Sequence, residues 1–178
     1  VEIALRTIMN HELQIMDLQD SFTYDVYISF RGEDTRYGFT GHLIDALNRR
    51  GIHTFTDDAM IHQGVEIGPS LVKAIKESRI AIIVFSNNYA SSAWCLDDLA
   101  KIIECRRRND LVVLPVFYDV DPSDVRHGRG SYGEALARHE VRFGDGDRVQ
   151  RWRASLCETA NLVGFHFRYG LPYSFIFD

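Results

Sequence analysis

From residue 24 onward the apolar positions alternate between a strand-like and a helix-like period. Tyr24–Phe30 (YDVYISF) is dense in aromatic and β-branched residues and predicts a strand. Phe39, Leu43, Ala46 and Leu47 then recur at i, i+4, i+7 and i+8, which predicts a helix stopped at Gly51. A short strand at 52–56 and a polar loop at 57–66 follow. Gly68 and Pro69 open a helix with Leu71, Val72 and Ile75 facing inward, and proline in a first turn gives up no hydrogen bond. Residues 80–85 (IAIIVF) and 111–118 (LVVLPVFY) are unbroken apolar runs of strand length, the mark of strands buried on both faces of a parallel sheet. Pro115 inside the second run predicts a bulge or a missing ladder bond. Between these runs, Ser91 or Ser92 caps a helix whose inner face is Cys95, Leu96, Leu99, Ile102 and Ile103. A loop through Asp121 and Pro122 leads to helical segments at 135–141 and 149–162 and a short final strand, Gly164–Phe167. Residues 1–20 carry a looser helical period through Ile8, Met9, Leu13, Ile15 and Met16 and read as an amphipathic extension.

Strand and helix alternate throughout, which predicts an open, doubly wound α/β sheet. Ligands in such sheets bind outside the carboxyl ends of the strands, so the functional loops are expected at 31–37, 57–66, 86–93 and 119–130. The expected division is an extension at 1–21, one domain at 22–168 and a short aromatic tail at 169–178. The chain has 178 residues, 46% hydrophobic and 25% charged, which excludes intrinsic disorder. A net charge of −5 gives no general attraction for nucleic acid or anionic lipid. The sequence holds no apolar run near the roughly 20 residues of a membrane span, and Glu2, Arg6, His11, Glu12 and Asp17 interrupt any signal-peptide core. Three cysteines are an odd and sparse set. Cys95 and Cys105 fall about 15 Å apart on one helix, too far to bridge, so reduced thiols in the cytosol are expected.

Several motifs reduce to structural readings. Gly128, Gly130 and Gly133 spell G-x-G-x-x-G, but a dinucleotide fingerprint must leave a strand directly and open a helix, and here ten irregular residues intervene. The sequence contains no P-loop motif. Asp25, Asp57 and Asp58 could form the acidic cluster of a receiver-like phospho-switch, yet neither central strand ends in the accepting carboxylate, so a solvated loop start is expected. The histidines have no metal-ligand spacing with cysteine. Arg106, Arg107 and Arg108 complement a helix C-terminus. Trp94, Asp98 and Lys101 fall at i, i+4 and i+7, a face expected to lie away from the apolar stripe, where the indole could stack on a ring or sugar above a carboxylate.

Four ordered motifs carry a resemblance. YDVYISFRGEDTRYGF (residues 24–39), TFTDD with the following G-x-E-I (residues 54–58 and 64–67), SNNYASSAWCLDDL (residues 86–99) and LPVFYDVDPSDVR (residues 114–126) are similar to plant TIR domains, the Toll/interleukin-1 receptor-like domains of disease-resistance type. VQRWRASL (residues 149–156) resembles a later helix of that family. The resemblance implies a flavodoxin-like five-stranded parallel sheet of order 2-1-3-4-5 with helices on both faces. It also implies an enzyme that releases nicotinamide from NAD+ or NADP+, acting in plant immunity and cell death from the cytoplasm or nucleus. The nucleotide is the substrate, and no cofactor or metal is required. On the matching positions, Phe30, Arg31, Gly32 and Arg36 handle the nucleotide, Ser92 and Trp94 line its ribose side, and Asp98 is the catalytic carboxylate. Asp57, Asp58, Ile61 and Gly64 belong to a loop that covers the site, and His42 to a surface of homotypic or heterotypic TIR–TIR association. The alternative is an inactive adaptor or decoy that acts by association alone.

Two departures qualify this expectation. The family carries Glu where this chain has Asp98, so the charge survives on an arm one methylene shorter and attenuated turnover is expected. Residues 168–178 (RYGLPYSFIFD) are too short and aromatic for the family's final helix, which is expected to be missing, and Gly41 stands where the family usually has Ser.

Overall fold

The computed structural model describes residues 22–56, 68–108, 111–168 and 174–176. The covering-loop residues Asp57, Asp58, Ile61 and Gly64, and the extension at 1–20, lie outside them. The sheet has the expected parallel core. Strands β1 (Tyr24–Phe30), β2 (Thr54–Thr56), β3 (Ser78–Phe85), β4 (Val112–Tyr118) and β5 (Gly164–Phe167) are ordered β2-β1-β3-β4-β5. All four pairings among them are parallel. A sixth strand, β6 (Ser174–Ile176), joins β5 antiparallel. Gly164–Phe167 is therefore not the final strand, and among the described residues a strand rather than a helix follows it.

The helices are α1 (Gly32–Thr35), α2 (Phe39–Arg49), α3 (Pro69–Lys76), α4 (Ala93–Arg108), α5 (Pro122–His127), α6 (Gly130–Phe143) and α7 (Gly146–Ala160). Strand alternation sends side chains to two cores. Val26, Ile28 and Phe30 of β1, with Ile80, Ile82 and Val84 of β3, pack against Phe39, Leu43 and Leu47 of α2. Tyr27, Ala81, Ile83 and Phe85 face the opposite way, into a larger core with α3, α4, α6 and α7. The expected inner face of α4, from Cys95 to Ile103, is buried in that larger core.

The predicted loop at 119–130 is a helix for half its length. Asp121 caps α5 by accepting from the Ser123 amide at 2.8 Å, Pro122 takes the first turn, and Gly128 ends it at φ 58°. The decoy glycines serve packing: a Cβ on Gly133 would lie 2.4 Å from the Gly128 carbonyl oxygen. Pro115 makes no bulge. The β3–β4 register runs through Ile83↔Pro115, while β5 joins only from Val116, so the missing donor falls at the edge of the second ladder.

Candidate active site

The carboxyl ends of β1 and β3 are bound together by a polar network. The carboxylate of Asp34, on α1, accepts from the Ser86 hydroxyl at 2.6 Å and from the Asn88 amide at 3.1 Å, and its other oxygen meets Arg31 Nε at 3.4 Å. Arg31 also donates to the Asn88 carbonyl at 3.3 Å and pairs with Glu33. From the other side, Tyr132 donates to the Ser86 carbonyl at 2.8 Å and Ser131 to the Asn87 carbonyl at 2.7 Å. Residues 86–88 are thus clamped between α1 and α6, with Arg31 on one wall.

The same loop delivers the start of α4. Ser92 is the cap, its hydroxyl accepting from the Cys95 amide at 3.2 Å. Tyr89 donates its single proton to the Cys95 carbonyl at 3.0 Å, so Ser29, 2.9 Å away, must donate to Tyr89. Burial, reinforced by the neighbouring Cys95 and Asp98 side chains, pushes the Tyr89 phenol well above its ordinary value. Burial likewise raises the Tyr132 phenol. Both rings are hydrogen-bonding struts, fixed in the neutral form.

The nucleotide-handling candidates from the opening loop sit together. Phe30 is buried, and the Arg36 guanidinium stacks over its ring at 5.6 Å. Gly32 is buried beneath the same guanidinium, and a Cβ there would lie 2.7 Å from Arg36 Nη2. Phe30 and Gly32 therefore shape the seat of Arg36 rather than offer surface of their own. Trp94 is half-buried and packs against the larger core. His42 is exposed on α2.

Asp98 departs from the expected outward face. It is 2% exposed, and its Oδ1 accepts from the Tyr27 hydroxyl of β1 at 2.7 Å. The physical reason is position on the helix. Residue 98 lies between the apolar positions 95 and 102, at the border of the buried stripe, and a polar partner waits in the core to receive it. Sequence reasoning passed over Tyr27, as it did Asp34, Tyr89 and Tyr132. Tyr27 read as a strand residue, with its inward direction given by alternation and its hydroxyl partner by no local signal. The neighbouring Asp97 is structural: it accepts from Trp152 Nε1 at 2.9 Å and pairs with Arg148, tying α4 to α7. Arg106 and Arg107 pair with Glu158 of α7, and Asp25 accepts from the His53 amide at 2.8 Å, while Asp57 and Asp58 lie outside the described residues. Among the described residues no group of three or more His, Cys, Asp or Glu is placed to hold a metal ion, and no helix is long and apolar enough to cross a membrane.

Comparison with known proteins places this geometry. The family model described as TIR domain matches residues 23–174. Disease resistance protein RPV1 of Vitis rotundifolia is 57% identical over 144 residues, which is 81% of this chain and 10% of the relative. TMV resistance protein N of Nicotiana glutinosa is 52% identical over 144 residues, 80% of this chain and 13% of the relative. The chain thus spans about a tenth of the length of these curated relatives. Among solved structures, the TIR domains of the activated Roq1 resistosome directly recognizing the pathogen effector XopQ align with a TM-score of 0.75 at 52% identity, over 81% of this chain and 87% of that one.

Proposed function

The chain belongs to the TIR domain family, among domains of plant disease-resistance type, and from that premise we propose that it releases nicotinamide from NAD+ or NADP+ as an assembled signalling module of cytoplasmic plant immunity and cell death. The reaction breaks the bond between ribose C1′ and the nicotinamide nitrogen. The electron pair leaves with nicotinamide, water adds to C1′, and its proton passes to solvent. The intermediate stage is an oxocarbenium-like ribosyl cation, as in glycoside cleavage, and a carboxylate near C1′ stabilises it. In this reading Asp98 supplies that carboxylate, Arg31 and Arg36 hold the phosphates, and Ser92 and Trp94 line the ribose side.

One observation carries the reading: Arg31, residues 86–92 and the start of α4 converge by hydrogen bonds at the carboxyl ends of β1 and β3, where open α/β sheets bind ligands. The test is nicotinamide release measured chromatographically at high protein concentration. Asp98→Ala is expected to abolish it, and Asp98→Glu to raise it by up to about 10²-fold, because a displacement of about 1 Å costs that order of rate. Unchanged release in Asp98→Ala would remove Asp98 from the chemistry.

A second reading is favoured by the burial of Asp98, 2% exposed and hydrogen-bonded in the core. In it the chain is a non-catalytic partner that associates with catalytic TIR domains, with exposed His42 on the pairing surface. It predicts no release by the isolated chain at any concentration, and a changed rate when a catalytic TIR domain is mixed with it.

A further inference from the structure

Resting on the reading of Asp98 as the reacting carboxylate, we infer that Tyr27 is its positioning residue: the phenol parks the short arm of Asp98 one helical turn below the rim of the sheet and restrains turnover. Three observations support this. First, α4 descends from the rim. Cys95 Sγ faces the carbonyl of Phe30, the last residue of β1, at 3.7 Å, whereas Asp98 meets Tyr27, three residues back along the strand. Three helical residues are about 4.5 Å of descent. Second, Tyr27 does not follow a moving partner. It is fully buried, and its ring stacks on Phe55 with centroids 5.6 Å apart and an interplanar angle of 11°. Third, the hydrogen bond joins two groups that are at most 2% exposed. A donor to a buried carboxylate is of the strong, charge-assisted kind.

A carboxylate so held must leave the phenol to approach a ribosyl cation at the rim. Losing a hydrogen bond of this kind corresponds to between about tenfold and a hundredfold in an equilibrium. The phenol and the missing methylene act in the same direction, so their effects should not add. A Glu at this position reaches about 1.5 Å further than Asp98, the length of one added methylene.

The test compares wild type, Tyr27→Phe, Asp98→Glu and the double variant, all in the 178-residue chain. Tyr27→Phe keeps the ring and its stacking on Phe55 and removes only the hydroxyl. Two quantities are read: kcat and KM for nicotinamide release from NAD+, and labelling of Asp98 by a carbodiimide and an amine nucleophile, mapped by mass spectrometry. The expected result is a kcat about tenfold higher in Tyr27→Phe with KM within about twofold, and labelling at Asp98 that wild type resists. Adding Tyr27→Phe to Asp98→Glu should change kcat by less than about twofold. If Asp98→Glu gains activity while Tyr27→Phe gains none and leaves Asp98 unlabelled, the role given to Tyr27 is wrong and the reading of Asp98 stands. If all four release no nicotinamide and label alike, both are wrong.

Discussion

At the scale of single residues, Gly41 and Asp97 show how packing and hydrogen bonding hold the elements that frame the candidate site. Gly41 is helical and has no unusual torsion, yet a Cβ on it would lie 2.3 Å from the Arg36 carbonyl oxygen, where the turn between α1 and α2 crosses close. This backbone path leaves no room for a Cβ at position 41. Gly41→Ala gains about 1 kcal/mol of helix propensity but forces the turn apart at a cost of about 1–3 kcal/mol. A net loss of stability is expected in a denaturant titration, together with a raised KM for NAD+, because Arg36 is carried by that turn. Asp97 is different. Its partner Trp152 is 1% exposed, so Asp97→Ala strands a buried indole N–H and should cost about 1–3 kcal/mol. The Arg148 side of the pair is about a third exposed and contributes little of this. Trp152→Phe in the Asp97→Ala background is expected to recover part of the loss, because the orphaned donor goes with it. An additive result would break the link between the two residues.

At the scale of elements, α4 is held at both ends: by the Ser92 cap, Tyr89 and the Asp97–Trp152 bond near the rim, and by Arg106 and Arg107 on Glu158 of α7 at the far end. His139 of α6 adds a pH-sensitive tie. Its Nε2 lies 2.9 Å from the Ala90 carbonyl, just ahead of Ser92, and its ring packs against Phe143 and Trp152. Burial holds the His139 imidazole below its ordinary value. The unfolded chain then binds more protons below about pH 6.5, so stability falls as pH drops through that point toward the lowered folded value. The melting temperature should therefore decline from about pH 7 to pH 5, and His139→Gln should flatten part of that slope. His166, also lowered by burial, keeps the rest. Equal slopes in the two proteins would exclude His139 as the source. Elements were legible where the signal was local. Ser92 was one of two candidate caps, and the inner stripe of α4 came from its own period. The α5 helix was missed because it spans only Pro122–His127, too short for periodicity, although Asp121, Pro122 and Gly128 are its cap, first turn and stop.

At the scale of the whole molecule, two apolar layers of unequal size enclose the sheet, the larger uniting α3, α4, α6 and α7 and the smaller built on α2. Exposed His42 on α2, and the Roq1 TIR domains observed within a resistosome, motivate a test of assembly. If association completes the site, the specific rate of nicotinamide release rises with protein concentration, and His42→Ala suppresses the rise without lowering the melting temperature. A specific rate independent of concentration would count against assembly. While the strand order came only with the resemblance and the structure, the amino-acid sequence by itself determined the alternation of strands and helices and the parallel character of the buried strands. The reason is that hydrophobic period, capping and strand length are properties of neighbouring residues. Only the tertiary structure decided that Asp98 turns inward to Tyr27, that Asp34 clamps residues 86–88, and that among the described residues β6 follows β5. Tyr27 and Asp98 are 71 residues apart, and no local pattern reports whether a buried hydroxyl waits across the core for a carboxylate at the edge of an apolar stripe.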